Sequence, residues 1–211
     1  MKGLIEKLQD AYRDQKMFYM VVLLFFCIGI VIGVYTVMYM DVTDRNDLTS
    51  YFSSYINGIG EASIDYGKLI FNILEKNLLL IIPIVFISFT FFGSPIILII
   101  DLVKGFSIGY TFTFLLCTFN GKGLGLALAA LIPQNIIYVP CLIMLSVIGL
   151  NVSTSIFKNK FLRRNVVSKR ELFKSSLSYL VGTMAILFIG ILIETFLSPS
   201  IISFVATKFY L

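Results

Sequence analysis

The chain has 211 residues, of which 58% are hydrophobic and 14% are charged, and its mean hydropathy is +0.92. Soluble domains carry about 25% charged residues, so this chain has too little polar material to cover a water-facing surface. The formal net charge of +5 comes from basic loops, and it gives no reason to invoke nucleic acid. Because the apolar residues form long runs, we predict an all-α, polytopic transmembrane helical bundle.

Five spans are predicted in a single integral membrane domain over residues 1–211. The first follows a charged, amphipathic lead and is expected to remain in the protein as an anchor. Its charge-free run would form a helix of about 36 Å, long enough to cross a bilayer with some tilt. The predicted spans cover residues 17–40, 77–100, 102–119, 124–150 and 177–197.

Turn-forming residues predict where these spans break or bend. The second span is expected to kink at Gly93-Ser94-Pro95, and a short turn at residues 101–104 is expected to start the third. Glycines at residues 121–125 predict the next turn. Pro133 and Pro140 are expected to interrupt the fourth span, leaving open whether it is kinked or re-entrant.

The distribution of lysine and arginine predicts the orientation. Most of the 17 basic residues lie in the N-terminal lead and in the loop between the fourth and fifth spans. Because basic residues are enriched in cytoplasmic loops, the N-terminus is predicted to be cytoplasmic and the C-terminus extracytoplasmic. The basic loop before the fifth span is then expected to face lipid headgroups.

Residues 41–76 form the one sizeable loop predicted outside the cell. Apolar residues in its first half recur at helical spacing, so an amphipathic helix is expected there. That helix either lies on the outer membrane surface or forms a docking surface for an extracytoplasmic partner. The candidate contact residues are Tyr51, Phe52, Tyr55 and Ile59.

The stretch GFSIG, residues 105–109, matches the G-x-S-x-G pattern of serine hydrolases. Ser107 would need a general base, but the chain has no histidine, and Lys104 is expected to be solvated at a turn. The absence of histidine also argues against the usual zinc sites. The three cysteines lie in apolar segments, as buried free thiols do. The sequence therefore predicts no catalytic, cofactor or metal site.

The same five letters also contain two glycines four residues apart. Such glycines lie on one helix face and allow a second backbone to approach closely. The pattern occurs twice, and the four glycines predicted to pack helices together are Gly29, Gly33, Gly105 and Gly109.

Gln134 and Asn135, beside Pro133, fall near the middle of the predicted fourth span. Polar amides at that depth require partners. They form either an interhelical hydrogen-bonded knot or a substrate or ion site at a broken helix. Asp101 and Glu194 are placed near span ends, where the interface can solvate them, so no proton relay is expected.

The chain resembles the stage II sporulation protein M (SpoIIM) family over nearly its full length. The segments that carry the resemblance are FNILEKN, DLVKGFSIGY and LIPQNIIYVP. Relatives in the broader superfamily carry P-H-G-x-x-E at the last of these, where this chain has Pro133, Gln134, Asn135 and Tyr138. The resemblance therefore brings no ionisable pair to this segment.

The resemblance implies a non-enzymatic role in engulfment during endospore formation. The family protein works with stage II sporulation proteins D and P, which cut septal peptidoglycan, and is regarded as the membrane scaffold that localises them. The implied location is the sporulation septum and the engulfing mother-cell membrane. The alternative is a small membrane transporter or channel with its polar site at Gln134 and Asn135. The sequence leaves a homo-oligomer open.

Overall fold

A computed structural model describes residues 2–61, 66–118, 120–161 and 181–195. These residues form six helices and no strand, which confirms the predicted all-α bundle. The helices are α1 (Lys2–Met38), α2 (Val42–Glu61), α3 (Tyr66–Ser88), α4 (Gly93–Thr118), α5 (Asn120–Phe161) and α6 (Val181–Thr195).

Four of these helices, α1, α3, α4 and α5, contain segments long and apolar enough to cross a membrane. Helix α6 is apolar but shorter. On the bundle's outside, apolar side chains of α1 and α3 are exposed, as expected for surfaces that face lipid; among them are Met20, Leu24, Leu79 and Phe86. The orientation of the termini stays a prediction.

The break between α3 and α4 falls at residues 89–92, so the predicted boundaries of the second and third spans are wrong. Gly93-Ser94-Pro95 starts a helix instead of kinking one, because proline is tolerated in the first turn, where its missing N–H has no helical partner. The predicted turn at residues 101–104 is also wrong. Those residues lie inside α4, which is continuous from Gly93 to Thr118.

Helix α5 is a single helix of 42 residues that contains both Pro133 and Pro140. The predicted interruption of the fourth span is therefore wrong, as is the turn at residues 121–125, since α5 already begins at Asn120. Neighbouring helices and polar side chains can satisfy the backbone groups that a proline frees within a membrane helix.

Helices α4 and α5 run antiparallel and share polar contacts at two levels. Ser94 meets Ser153 near the start of α4, and Asp101 meets Ser146 about two turns further on. Between these levels Ile97 is fully buried in the main apolar core, to which α3, α5 and α6 also contribute side chains. A second apolar cluster forms at the other end of the bundle, around Val37 and Leu115.

Candidate functional site

Helices α1 and α4 approach each other along two pairs of glycines. Gly105 and Gly109 on α4 face Phe26 and Ile30 on α1, and a Cβ added to either glycine would overlap a backbone carbonyl oxygen. The contact is reciprocal, since α1 contributes Gly29, which faces Leu102, and Gly33, which faces Phe106. The structure thus brings all four glycines predicted for helix packing into one contact.

This contact also fixes the depth of α4 in the bundle. Helices α1 and α4 run parallel, and Gly105 faces Phe26, which lies near the middle of the apolar segment Lys16–Met38. At a rise of about 1.5 Å per residue, Phe26 is about 15 Å from one end of that segment and about 18 Å from the other. Lys104 directly precedes Gly105, so it lies near the centre of the membrane-spanning segments.

Asp101, one turn before Lys104, is fully buried, with 0% of its surface exposed. Its Oδ1 accepts a hydrogen bond of 2.7 Å from the hydroxyl of Ser146. Its Oδ2 has no hydrogen-bond partner among the residues that the structure describes. The expectation that Asp101 lies at a solvated span end is therefore wrong, because the turn on which it rested does not exist.

A second polar group lies beside Asp101 and joins four helices. Lys104 on α4 lies within electrostatic range of Glu194 on α6, but the two side chains form no ion pair among the described residues. Tyr138 on α5 lies within side-chain reach of both Glu194 and Asn77 of α3. However, Tyr138 Oη and Glu194 Oε2 are buried and make no well-formed hydrogen bond within the described ranges. Glu194 thus faces a lysine and a tyrosine inside the bundle.

Three of these side chains, those of Asn77, Lys104 and Tyr138, border a small cavity. Its volume is about 10 Å³, and its lining includes Asn77, Lys104, Tyr138 and Leu145. A cavity of that size holds about one water molecule. The arrangement can therefore accommodate a hydrogen-bonded bridge among side chains from α3, α4 and α5.

A third polar group fastens the turn between α3 and α4 to α5. Ser153 Oγ accepts hydrogen bonds from the backbone N–H and the hydroxyl of Ser94, and it donates one to the carbonyl of Thr90. Phe91 in the turn stacks on Phe157 of α5. One serine hydroxyl therefore holds both the turn and the start of α4.

The amides predicted for the fourth span lie on an unbroken helix. Asn135 Nδ2 donates to the carbonyl of Leu131, one turn earlier, at 2.9 Å. Asn135 borders an open groove of about 280 Å³ whose other walls include Ile108, Phe112 and Ile132. Gln134, its neighbour in sequence, is half-buried. This groove is apolar, and the broken helix on which the transporter alternative depended is not there.

The predicted docking helix is α2. Arg45 Nη2 donates to the carbonyl of Val37 near the end of α1, and Leu48 packs against the second apolar cluster. Three residues after Leu48, Tyr51 is 76% exposed. The side chains of Phe52, Tyr55 and Ile59 lie outside the described residues, although all three positions are on α2.

Ser107 lies on the exposed side of α4, away from Gly105 and Gly109. Its carbonyl accepts a hydrogen bond from the hydroxyl of Thr111, one turn on. Within the described ranges, no cluster of three metal-ligating side chains occurs. In GFSIG, the two glycines contact helix α1, whereas Ser107 is exposed.

A family profile, Stage II sporulation protein M (SpoIIM), matches residues 22–199. The chain belongs to the stage II sporulation protein M family. Comparisons with curated proteins and with solved structures gave no significant match.

The matched region of this SpoIIM protein contains the paired glycines, the buried acids and all of α2 to α6. The family makes it a sporulation-related membrane protein, and the family is not known as catalytic. Sequence reasoning on the SpoIIM chain missed the group around Lys104 and Glu194. The signal that could have found it is charge inside otherwise apolar runs, since ionisable residues are rare within membrane helices and mark functional positions.

Proposed function

We propose that this SpoIIM protein is a non-enzymatic membrane scaffold that recruits septal peptidoglycan hydrolases during engulfment. Its partners are stage II sporulation proteins D and P. Its location is the sporulation septum and then the mother-cell membrane that engulfs the forespore. The observation that carries the proposal is α2, a helix fastened to the end of α1 and exposing an aromatic side chain.

Under the predicted orientation, α2 lies on the extracytoplasmic side, where peptidoglycan is found. Arg45 and Leu48 connect it to the bundle, so Tyr51 is presented from a fixed base. Exposed tyrosines on rigid elements are the residues from which protein interfaces gain much of their affinity. This arrangement supports a docking surface over a helix that merely rests on lipid.

The absence of histidine from the sequence supports recruitment over catalysis. A serine or cysteine nucleophile is commonly activated by an adjacent general base, and histidine is the side chain that most often serves as that base. The buried acids and Lys104 lie in the bundle interior, away from the compartment where a cell-wall substrate is located. In this proposal the partners carry the hydrolytic chemistry.

Co-purification of proteins D and P with the full chain from sporulating cells tests the proposal. Replacing Tyr51, Phe52 and Tyr55 together by alanine is expected to reduce recovery of both partners at least about tenfold, a loss equivalent to about 1.4 kcal/mol. The matched control is Phe86→Ala, which removes an aromatic side chain that is 73% exposed on α3, and it is expected to leave recovery unchanged. Full recovery with the triple variant would exclude α2 as the docking surface.

A further inference from the structure

The small cavity beside Lys104 combines an apolar wall with three polar side chains. Residues of α3, α4, α5 and α6 line it. Its apolar side chains, most of which belong to the main core, are those of Leu80, Ile81, Leu142, Leu145 and Leu187. Its polar side chains are those of Asn77, Lys104 and Tyr138. A purely apolar cavity stays dry, whereas a cavity that polar groups share holds water.

Tyr138 is deeply buried beside this cavity. Its side chain is 5% exposed, and its hydroxyl oxygen makes no hydrogen bond to any residue that the structure describes. Buried polar groups in folded proteins nearly always have a hydrogen-bond partner, which is either protein or ordered water. Because Tyr138 lines the cavity, a water molecule bound there supplies that partner.

Lys104 brings a charged group to the same cavity near the centre of the membrane-spanning segments. Its ammonium group has three N–H donors and no acceptor. It lies within electrostatic range of Glu194, but no hydrogen bond or ion pair joins it to another described side chain. A charged group at that depth requires an acceptor. The oxygen of a water molecule in the cavity is such an acceptor.

Asn77 contributes an amide group from α3. One of its N–H groups donates to the carbonyl of Ile73 at 2.9 Å, and this bond leaves the amide oxygen able to accept a hydrogen bond. A single water molecule can therefore accept from Lys104, donate to Asn77, and donate to or accept from Tyr138. Three hydrogen bonds are the usual number for a buried water molecule.

We propose that the cavity is a binding site for one structural water molecule, held by Asn77 of α3, Lys104 of α4 and Tyr138 of α5. The volume of about 10 Å³ is close to that of one water-sized probe, so the site takes water and no larger ligand. The positive charge of Lys104 disfavours a metal cation there. Since no hydrophobic force joins helices within lipid, hydrogen bonds of this kind help to hold α3 against α4 and α5.

A crystal structure of the full chain grown in lipid, at a resolution that shows ordered water, tests the proposal directly. We expect one density peak within about 3.2 Å of Lys104 Nζ, Tyr138 Oη and the Asn77 amide group. A direct hydrogen bond from Tyr138 to Asn77 or Glu194, with no peak among the three side chains, would overturn the proposal. That result does not depend on any substituted chain folding.

The stability of Tyr138→Phe in detergent gives an independent test, because its sign differs between the two cases. If a water molecule binds the hydroxyl, the substitution removes a hydrogen bond, and the equilibrium constant for unfolding is expected to rise about fivefold. If the hydroxyl has no partner, its removal relieves a desolvation penalty, and the variant is as stable as the wild-type chain or more stable. The second result would overturn the proposal.

Tyr110→Phe is the matched control for this measurement. Tyr110 is a half-buried tyrosine on α4 that does not line the cavity. We expect its substitution to leave the unfolding equilibrium unchanged. An equal loss of stability in both variants would also count against the water site, because it would show that the loss does not depend on the cavity.

Discussion

At Gly105 and Gly109 a hydrogen atom occupies the position where any other residue would place a carbon. The backbone carbonyls of Phe26 and Ile30 lie directly against these positions. Because a backbone atom cannot rotate away as a side chain can, a larger residue must separate α1 from α4. Without a hydrophobic force between helices in lipid, such close packing is a main source of their association.

We expect Gly105→Leu and Gly109→Leu each to lower the free energy of unfolding by about 1–3 kcal/mol or more, as overpacking does in a closely packed core. Thermal or denaturant unfolding in detergent measures this. Gly182→Leu is the control, because no atom of another described helix lies within 4 Å of a Cβ at that position. Equal stability of all three variants would show that the glycine contact does not hold the helices together.

The hydroxyl of Ser146 is the hydrogen-bond donor that the structure places on Asp101. Ser146→Ala leaves a buried carboxyl oxygen without this donor, and we expect a loss of about 1–3 kcal/mol in the same unfolding measurement. The control is Thr36→Ala, whose exposed hydroxyl bonds to a carbonyl of its own helix. If the two alanine variants are equally stable, the Asp101–Ser146 hydrogen bond makes no net contribution.

At the scale of the helices, Arg45 supplies a hydrogen bond from α2 to the end of α1. Arg45 Nη2 donates to the Val37 carbonyl at 3.1 Å, a carbonyl in the last turn of α1 that also accepts a hydrogen bond from the backbone N–H of Met40. We expect Arg45→Ala to increase hydrogen exchange in α2 several-fold, because α2 then loses a hydrogen bond that holds it to the bundle. Asp47→Ala, at an exposed position on the same helix, is expected to leave exchange unchanged.

The first span, the amphipathic helix that follows it and the glycine spacing could be predicted from the sequence, because each depends on a local pattern that one helix carries. The boundary between α3 and α4 could not. Gly93-Ser94-Pro95 fits a kink as well as a helix start, and Asp101 with Lys104 resembles a polar turn. Contacts from another helix decide where α4 begins and whether residues 101–104 are helical. Ser153 of α5 accepts a hydrogen bond from the backbone at the start of α4, and Ser146 of α5 donates one to Asp101.

The group around Glu194 was missed for a related reason. Its members come from four helices, and residues 77 and 194 are far apart in the sequence. Each polar residue alone is compatible with a span end, and only their convergence in the bundle reveals an interior site. Because residues 101–104 are helical and do not form a turn, the charged residues of α4 lie near the middle of a membrane-spanning helix, where they require partners.

For the whole molecule, four long apolar helices and the shorter α6 are compatible with the five predicted spans, and five spans predict that the two termini lie on opposite sides of the membrane. We expect a periplasm-type alkaline phosphatase reporter fused after residue 211 to be active and a fluorescent protein fused there to be dark. The opposite pattern would put the C-terminus in the cytoplasm and would contradict the five-span arrangement.

The central claim is that α2 docks the cell-wall hydrolases. Its most direct test is a photo-crosslinking amino acid at position 51, incorporated into the full chain and activated in cells undergoing engulfment. We expect a crosslink to protein D or protein P from position 51, and no such crosslink from position 86 on α3. Equal labelling from both positions, or labelling of lipid alone from position 51, would contradict it.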